Sequence, residues 1–172
     1  NSLFSDESLQ NRNRSTRQYI IPKGTTAATL ARLQMVADCF YDAAYIYLHS
    51  TLERIAQGPS RIPPAAMAAW SSLISVSKST ALHHCLFRIR SCPLDHHVEY
   101  SALTFPLFIA GCESRDPEER EIIIQALGVL EENFGIGNVK RARELLGVLW
   151  EGEGDMHWLD VLEELQWDLI LA

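Results

Sequence analysis

The chain has 172 residues, a formal net charge of −7, and 47% hydrophobic and 22% charged residues, which is ordinary globular usage and excludes a wholly disordered chain. A domain of this size buries roughly 70% of the surface that its unfolded chain exposes, so it can form one core without disulfides or metals. The acidic balance argues against direct binding of nucleic-acid phosphates, and no apolar run approaches the roughly 20 residues that span a bilayer.

The first element that hydrophobic periodicity predicts is a long helix from Thr26 to Gln57. Apolar residues recur there at steps of three and four, and Gly58-Pro59 follows as a stop signal. Because the helix is apolar on two faces, we expect it to be central in a bundle. Residues 1–25 are polar, so we expect a flexible lead-in before a helical domain that spans residues 26–172.

Three further helical segments are predicted before residue 113. Pro63-Pro64 opens a helix over about residues 65–77, and a continuation covers about residues 80–91. Cys92-Pro93 ends this continuation, since the residue before a proline is pushed out of the helical region. The segment Leu94–Cys112 is the most apolar of the chain, and Pro106 inside it should kink a buried helix.

Capping signals mark the remaining helices. Asp116 followed by Pro117 starts a helix that reaches about Phe134, because an aspartate cap and a proline in the first turn both favour a helix start. Asn138 is expected to cap the next helix, and Asp155 the last one. With no alternating strand pattern, the sequence predicts an all-α fold: a single compact domain of six or seven helices, with one long central helix and one buried helix kinked by proline.

Histidine and cysteine cluster between residues 83 and 97, where a metal site or a nucleophile would have to lie. His83-His84-Cys85, Cys92 and His96-His97 lack the Cys-x-x-Cys or His-x-x-x-His spacing of a metal site. No family signature or oxyanion loop accompanies a Cys–His pair. We therefore predict no metal ligand, no catalytic residue and no enzymatic activity, and interpret these residues as surface histidines and core thiols.

Aromatic residues recur on several predicted helices, and two interpretations stay open. They line an apolar ligand pocket between helices, or they fill the core. Residues 151–172 mix acidic with aromatic residues, which is typical either of a transcriptional activation segment or of a core helix with one acidic face. The candidate ligand-binding residues are Phe40, Tyr47, Phe105, Phe108, Trp150 and Trp158.

Three stretches resemble the regulatory region of fungal binuclear zinc-cluster transcription factors, most closely the subgroup that includes the sterol-responsive yeast regulators. Residues 43–52 resemble the family's A-x-x-x-Y-L-H helix. Residues 103–113 resemble its L-x-W-P-L-F-I-A-G-x-E helix, with Phe105 in place of the tryptophan, and residues 137–161 resemble its closing helices. The motif residues are Tyr47, Leu48, His49, Pro106, Ala110, Gly111, Glu113 and Arg120.

The resemblance implies a helical, nuclear domain, with shuttling from the cytoplasm as an option. Such domains are often dimeric and in some members bind a small hydrophobic effector such as a sterol. Within the motif, we expect Gly111 to allow either close packing or a tight exit from the helix, and Glu113 to pair with Arg120. The six-cysteine motif that binds zinc and DNA in that family is not in this sequence. Zinc and direct nucleic-acid contact are therefore expected only outside this segment, in a longer protein.

Two functions remain open at this point. The first is an effector-responsive regulatory domain of a fungal zinc-cluster transcription factor, with an apolar ligand bound between the helices. The second is a ligand-free helical scaffold for homodimerisation or for docking of a transcriptional coregulator.

Overall fold

The computed structural model describes residues 21–58, 63–135, 137–152 and 157–164. Every regular element in these ranges is helical, which confirms the predicted all-α fold class. None of these helices is long and apolar enough to cross a membrane. The elements are α1 (Ala27–Gln57), α2 (Pro64–Leu73), α3 (Lys78–Ser91), a 3₁₀-helix (Val98–Leu103), α4 (Thr104–Glu113), α5 (Pro117–Phe134), α6 (Gly137–Glu151) and α7 (Trp158–Glu164).

The chain divides into two compact units, residues 1–31 and residues 32–172. In the described part of the first unit, Thr26 Oγ1 accepts a hydrogen bond from the Thr29 amide at 3.1 Å. This bond caps the start of α1. Residues 1–20, which make up most of the predicted lead-in, lie outside the described residues.

The second unit is built around α4. Every residue from Pro106 to Gly111 is buried, and α4 packs against the 3₁₀-helix, α3, α5 and α6. The prediction of a central long helix needs correction here, because α1 buries one face and exposes the opposite apolar one. When a helix carries apolar residues on two faces, its sequence does not show which face packs against the rest of the chain. The buried residues of α1 are Val36, Cys39, Asp42, Ala43, Ile46 and Ser50.

Pro106 occupies a different position from the one predicted. The segment expected to be one kinked helix begins without helical structure, forms the 3₁₀-helix and continues as α4 from Thr104. Pro106 is therefore the third residue of α4. The N–H groups of the first turn have no acceptor within an α-helix, so the N–H that proline lacks costs no helical hydrogen bond there. The change from 3₁₀ to α geometry takes the place of a bend inside one continuous helix.

Capping explains most of the other boundaries. Ser77 Oγ accepts from the Thr80 amide at 3.2 Å and separates α3 from α2. Asp116 Oδ1 accepts from the Glu118 amide at 2.7 Å at the start of α5, as predicted.

At the other end of α5, Gly135 closes the helix in the left-handed conformation at φ +60°, which suits glycine. The cap predicted at Asn138 is wrong, because α6 already begins at Gly137. The cap predicted at Asp155 lies outside the described residues.

Candidate functional site

Five of the six candidate aromatic residues come together along the contact between α1, α4 and α7. The rings of Phe40 and Phe105 stack with centroids 5.7 Å apart. The Trp158 ring contacts Tyr47 at 6.1 Å and Phe108 at 6.5 Å, both edge-on. Such pairs contribute about 0.5–1.5 kcal/mol each beyond the area they bury. We call these five residues the aromatic seam.

The aromatic seam runs from the core to the surface. Phe108 and Trp158 are buried, whereas Phe40 is 38% and Tyr47 is 44% exposed. Phe40 and Tyr47 stand seven residues apart on α1, and Phe105 and Phe108 stand three apart on α4. These spacings place each pair on one helix face. The helical periodicity of the sequence therefore predicts that the two rings of each pair lie side by side.

Trp150, the sixth candidate, makes a separate contact. Its Nε1–H donates to the Gly111 carbonyl at 3.0 Å, and the Arg120 guanidinium lies 5.1 Å from its ring centroid. Arg120 also donates from Nε to the Ser114 carbonyl at 3.0 Å. Trp150 and Arg120 together close the C-terminal end of α4, where carbonyl groups lack partners within the helix.

Glu113 connects four helices at one end of the aromatic seam. Its carboxylate accepts hydrogen bonds from Ser50 Oγ at 2.5 Å, Trp158 Nε1 at 2.8 Å and Lys78 Nζ at 2.9 Å. Lys78 also contacts Glu53 at 2.5 Å. Burial works against the charged carboxylate, but the three donors outweigh it and hold the pKa of Glu113 below its ordinary value.

The predicted partner of Glu113 needs correction. Lys78, which starts α3, is the cation at this carboxylate, while Arg120 covers Trp150. Sequence reasoning missed Lys78 and Ser50 because they stand 35 and 63 positions away from Glu113. No local spacing marks two residues as neighbours at such separations.

The other motif residues have packing roles. Pro106, Ala110 and Gly111 lie on the buried face of α4. A Cβ atom on Gly111 would lie 2.7 Å from both δ-carbons of Leu146. The close approach of α4 to α6 therefore needs a glycine, which supports close packing among the two roles expected for Gly111. His49 Nε2 donates to the Val76 carbonyl at 2.9 Å.

The cysteines and histidines of residues 83–97 are dispersed rather than gathered. Cys85 is fully buried, and its contact with Cys39 together with burial raises the pKa of its thiol. Burial also raises the pKa of Cys112, and thiols of this kind are poor nucleophiles. In the described ranges, no group of three or more His, Cys, Asp or Glu residues could hold a metal ion.

The family model described as "Fungal specific transcription factor domain" matches residues 4–172, which is nearly the whole chain. The chain belongs to this family. No curated protein and no solved structure matches the chain at a significant level. The fungal specific transcription factor domain has a transcription-regulatory role, and the family as a whole points away from enzymatic activity. The sterol-responsive subgroup stays a prediction.

Proposed function

We propose that this chain is the regulatory domain of a nuclear fungal transcription factor, and that two copies associate through the exposed apolar face of α1. One observation supports the association. α1 presents large apolar side chains to solvent over most of its length, while its charged side chains are bound to other helices of the same chain. We call this surface the α1 stripe; it consists of Leu33, Phe40, Tyr41, Tyr47, Leu48 and Ile55, which are 38–44% exposed.

The spacing of the α1 stripe suits packing against another helix. Leu33, Ala37, Phe40, Ala44 and Tyr47 follow one another at alternating steps of four and three residues, the heptad pattern by which paired helices interlock. From Leu33 to Ile55 the stripe is about 33 Å long at 1.5 Å per residue.

Charge supports a second copy as the occupant. Asp38 and Asp42 bind Arg88, Glu53 binds Lys78, and Arg54 binds Asp160 and Glu163, so every acidic or basic side chain between residues 33 and 55 is paired within the chain. A core rich in aromatic residues and poor in charge is typical of protein interfaces. Two molecules that each carry a net charge of −7 repel one another, and a face without free charge lets them approach.

The area also fits a self-association of moderate strength. Six large side chains at about two-fifths exposure contribute about 500 Å², against about 800 Å² per partner in a standard interface. Smaller residues between them supply part of the remainder. In a twofold-symmetric dimer each copy buries the same patch, so the total buried area is twice the area of one α1 stripe.

Sedimentation velocity over a range of concentrations tests this proposal. The wild-type chain should sediment as a concentration-dependent dimer, and the double variant Leu33→Glu/Leu48→Glu as a monomer, because it places four like charges in the interface. Val98→Glu/Val148→Glu is the matched control, since these valines are 73% and 51% exposed on other helices. A wild-type monomer at high concentration, or a dimer that survives the Leu33→Glu/Leu48→Glu change, would contradict the proposal.

A second candidate function is the response to a small apolar effector at the aromatic seam, and the position of Trp158 favours it. Trp158 fills the space between Tyr47 and Phe108 from a short helix, α7. Exposed ion pairs from Arg54 help to hold α7, and such pairs contribute at most about 1 kcal/mol each. An effector with higher affinity for the state in which Trp158 has moved would displace α7.

Native mass spectrometry of the chain purified from a fungal host tests the effector. A small molecule that leaves on denaturation would give the mass of the ligand. At a hundredfold excess over Kd, such a ligand stabilises by about 2.7 kcal/mol, which raises Tm by roughly 5–10 °C. The substitution Phe108→Leu should reduce this rise, while Phe87→Leu on α3, where the ring is 63% exposed, should not.

If no small molecule is bound and saturating hydrophobic candidates do not raise Tm, the effector hypothesis is refuted. The ligand-free scaffold is then the remaining function. Residues 165–172, which carry part of the acidic C-terminal segment, lie outside the described residues. The docking of a coregulator at that segment therefore stays a prediction.

A further inference from the structure

A groove lies between α3 and α5, on a surface that belongs neither to the aromatic seam nor to the α1 stripe. It consists of two adjoining hollows of about 340 and 360 Å³ that share Arg90, Glu118 and Ile122. Leu86 and Ala126 lie buried beneath it at 5% and 6% exposure, and the half-buried Leu94 and Val129 supply further apolar surface. Phe87 stands at its edge with 63% of its area exposed, so a large apolar ring is available to a partner.

The groove is strongly acidic. Four carboxylates line it, those of Asp116, Glu118, Glu119 and Glu121, against the single guanidinium of Arg90. Arg90 and Glu118 form an ion pair at 3.2 Å, but both side chains remain about 70% exposed. The apolar part of the lining is therefore flanked by groups with an excess of three negative charges.

We propose that the groove between α3 and α5 binds a basic amphipathic helix of another protein. Phe87, Ile122 and Val129 form an apolar strip among the polar residues of the groove, and such a strip accepts the apolar face of a helix, with anchors at steps of three and four residues. The lining of α5 runs from Glu118 to Val129, about 17 Å at 1.5 Å per residue, which matches about three turns of a partner helix. Lysines or arginines along the edges of the partner would face the carboxylates of the groove and speed its association.

The same charges disfavour the other occupants. A second copy of this chain also carries a net charge of −7, and its α1 stripe offers no free cation to the groove. Nucleic acid would bring phosphates to a groove that already holds excess carboxylates. The proposal does not depend on association through α1 or on an effector at the aromatic seam.

The test is fluorescence anisotropy of the full chain with a labelled synthetic helix of about 12 residues, with leucines on one face and lysines along both edges. A second peptide has glutamate in place of every lysine. The lysine peptide should bind and the glutamate peptide should not. Raising the salt concentration should weaken the binding of the lysine peptide, because exposed charges are screened.

Three variants make the test specific. Glu118→Gln/Glu119→Gln/Glu121→Gln should weaken the lysine peptide about tenfold, at roughly a factor of two for each exposed ion pair. The matched control Glu132→Gln/Glu144→Gln/Glu164→Gln removes the same charge from exposed positions elsewhere and should bind as wild type does. Phe87→Ala should weaken the binding of the lysine peptide. It should also make the affinity less sensitive to replacement of the leucines in that peptide.

A charge reversal completes the design. The variant Glu118→Lys/Glu119→Lys/Glu121→Lys should prefer the glutamate peptide. Because lysines in a first turn oppose the helix dipole, circular dichroism must show that this variant is folded, and the glutamine variant carries the test if it is not. The proposal is overturned if the lysine peptide does not bind at about 1 mM, or if the groove variant and its matched control lose affinity equally.

Discussion

Replacing Gly111 by alanine tests whether the close approach of α4 to α6 requires a residue without a side chain. The new Cβ atom would lie 2.7 Å from both δ-carbons of Leu146, whereas carbon atoms in favourable contact are about 3.5–4.0 Å apart. Leu146 is fully buried, so its side chain can move away only by disturbing its other neighbours. Gly128 in α5 provides the matched control, because no atom lies within 4 Å of a Cβ built there.

The magnitude follows from two opposing effects. Overpacking of a close-packed core costs about 1–3 kcal/mol, while alanine in place of glycine inside a helix stabilises by up to about 1 kcal/mol. Gly128→Ala should show only the second effect and raise the free energy of unfolding. Gly111→Ala combines both effects and should be neutral to about 2 kcal/mol destabilising. The difference between the two variants, about 1–3 kcal/mol, measures the packing term.

Urea unfolding at equal m-values gives both free energies. A third variant, Leu146→Ala, should itself cost about 2–5 kcal/mol, but the double variant Gly111→Ala/Leu146→Ala should cost less than the sum, because the overlapping atoms are gone. If Gly111→Ala stabilises the chain as much as Gly128→Ala does, the contact with Leu146 does not constrain this position.

Two further predictions concern the Glu113 network and the start of α5. Despite burial, hydrogen bonds hold the pKa of Glu113 in the folded state below its ordinary value of 4.5. The charged carboxylate therefore contributes its full stability above pH 4.5. This contribution is lost as the pH falls through the lowered pKa of the folded state. Denaturant unfolding between about pH 5 and pH 2 should therefore show a weaker pH dependence for Glu113→Gln than for wild type, and equal slopes would contradict this account. Asp116→Ala removes the acceptor of the Glu118 amide and should lower the free energy of unfolding by about 1 kcal/mol; Asp116→Asn, which keeps an oxygen acceptor, should restore most of the loss.

The elements of the fold were largely predictable, because their signals are local. The caps of α1 at Thr26, of α3 at Cys92 and of α5 at Asp116 all follow from side chains and dihedral preferences within a few residues of the boundary. The wrong predictions concern positions where the packing of helices, rather than the neighbouring residues, sets the helix boundary. Pro106 lies in the first turn of α4 rather than bending a longer helix, and Asn138 lies inside α6.

The candidate site was predictable only in part. The helix spacing of Phe40 with Tyr47, and of Phe105 with Phe108, is enough to place these rings on common faces. That Trp158 would lie between Tyr47 and Phe108 depends on how α7 packs, and no spacing in the sequence reports that.

The sequence by itself therefore determined the helical class, most helix boundaries and the family, since each depends on residues close together in the chain or on a pattern of residue types. Only the tertiary structure decided that α4 rather than α1 is the buried centre, that Lys78 rather than Arg120 binds Glu113, and that the acidic groove lies between α3 and α5. These features are contacts between residues far apart in sequence, and they depend on the packing of whole helices. A helix with two apolar faces shows which residues can be buried, but the rest of the chain determines which of them are.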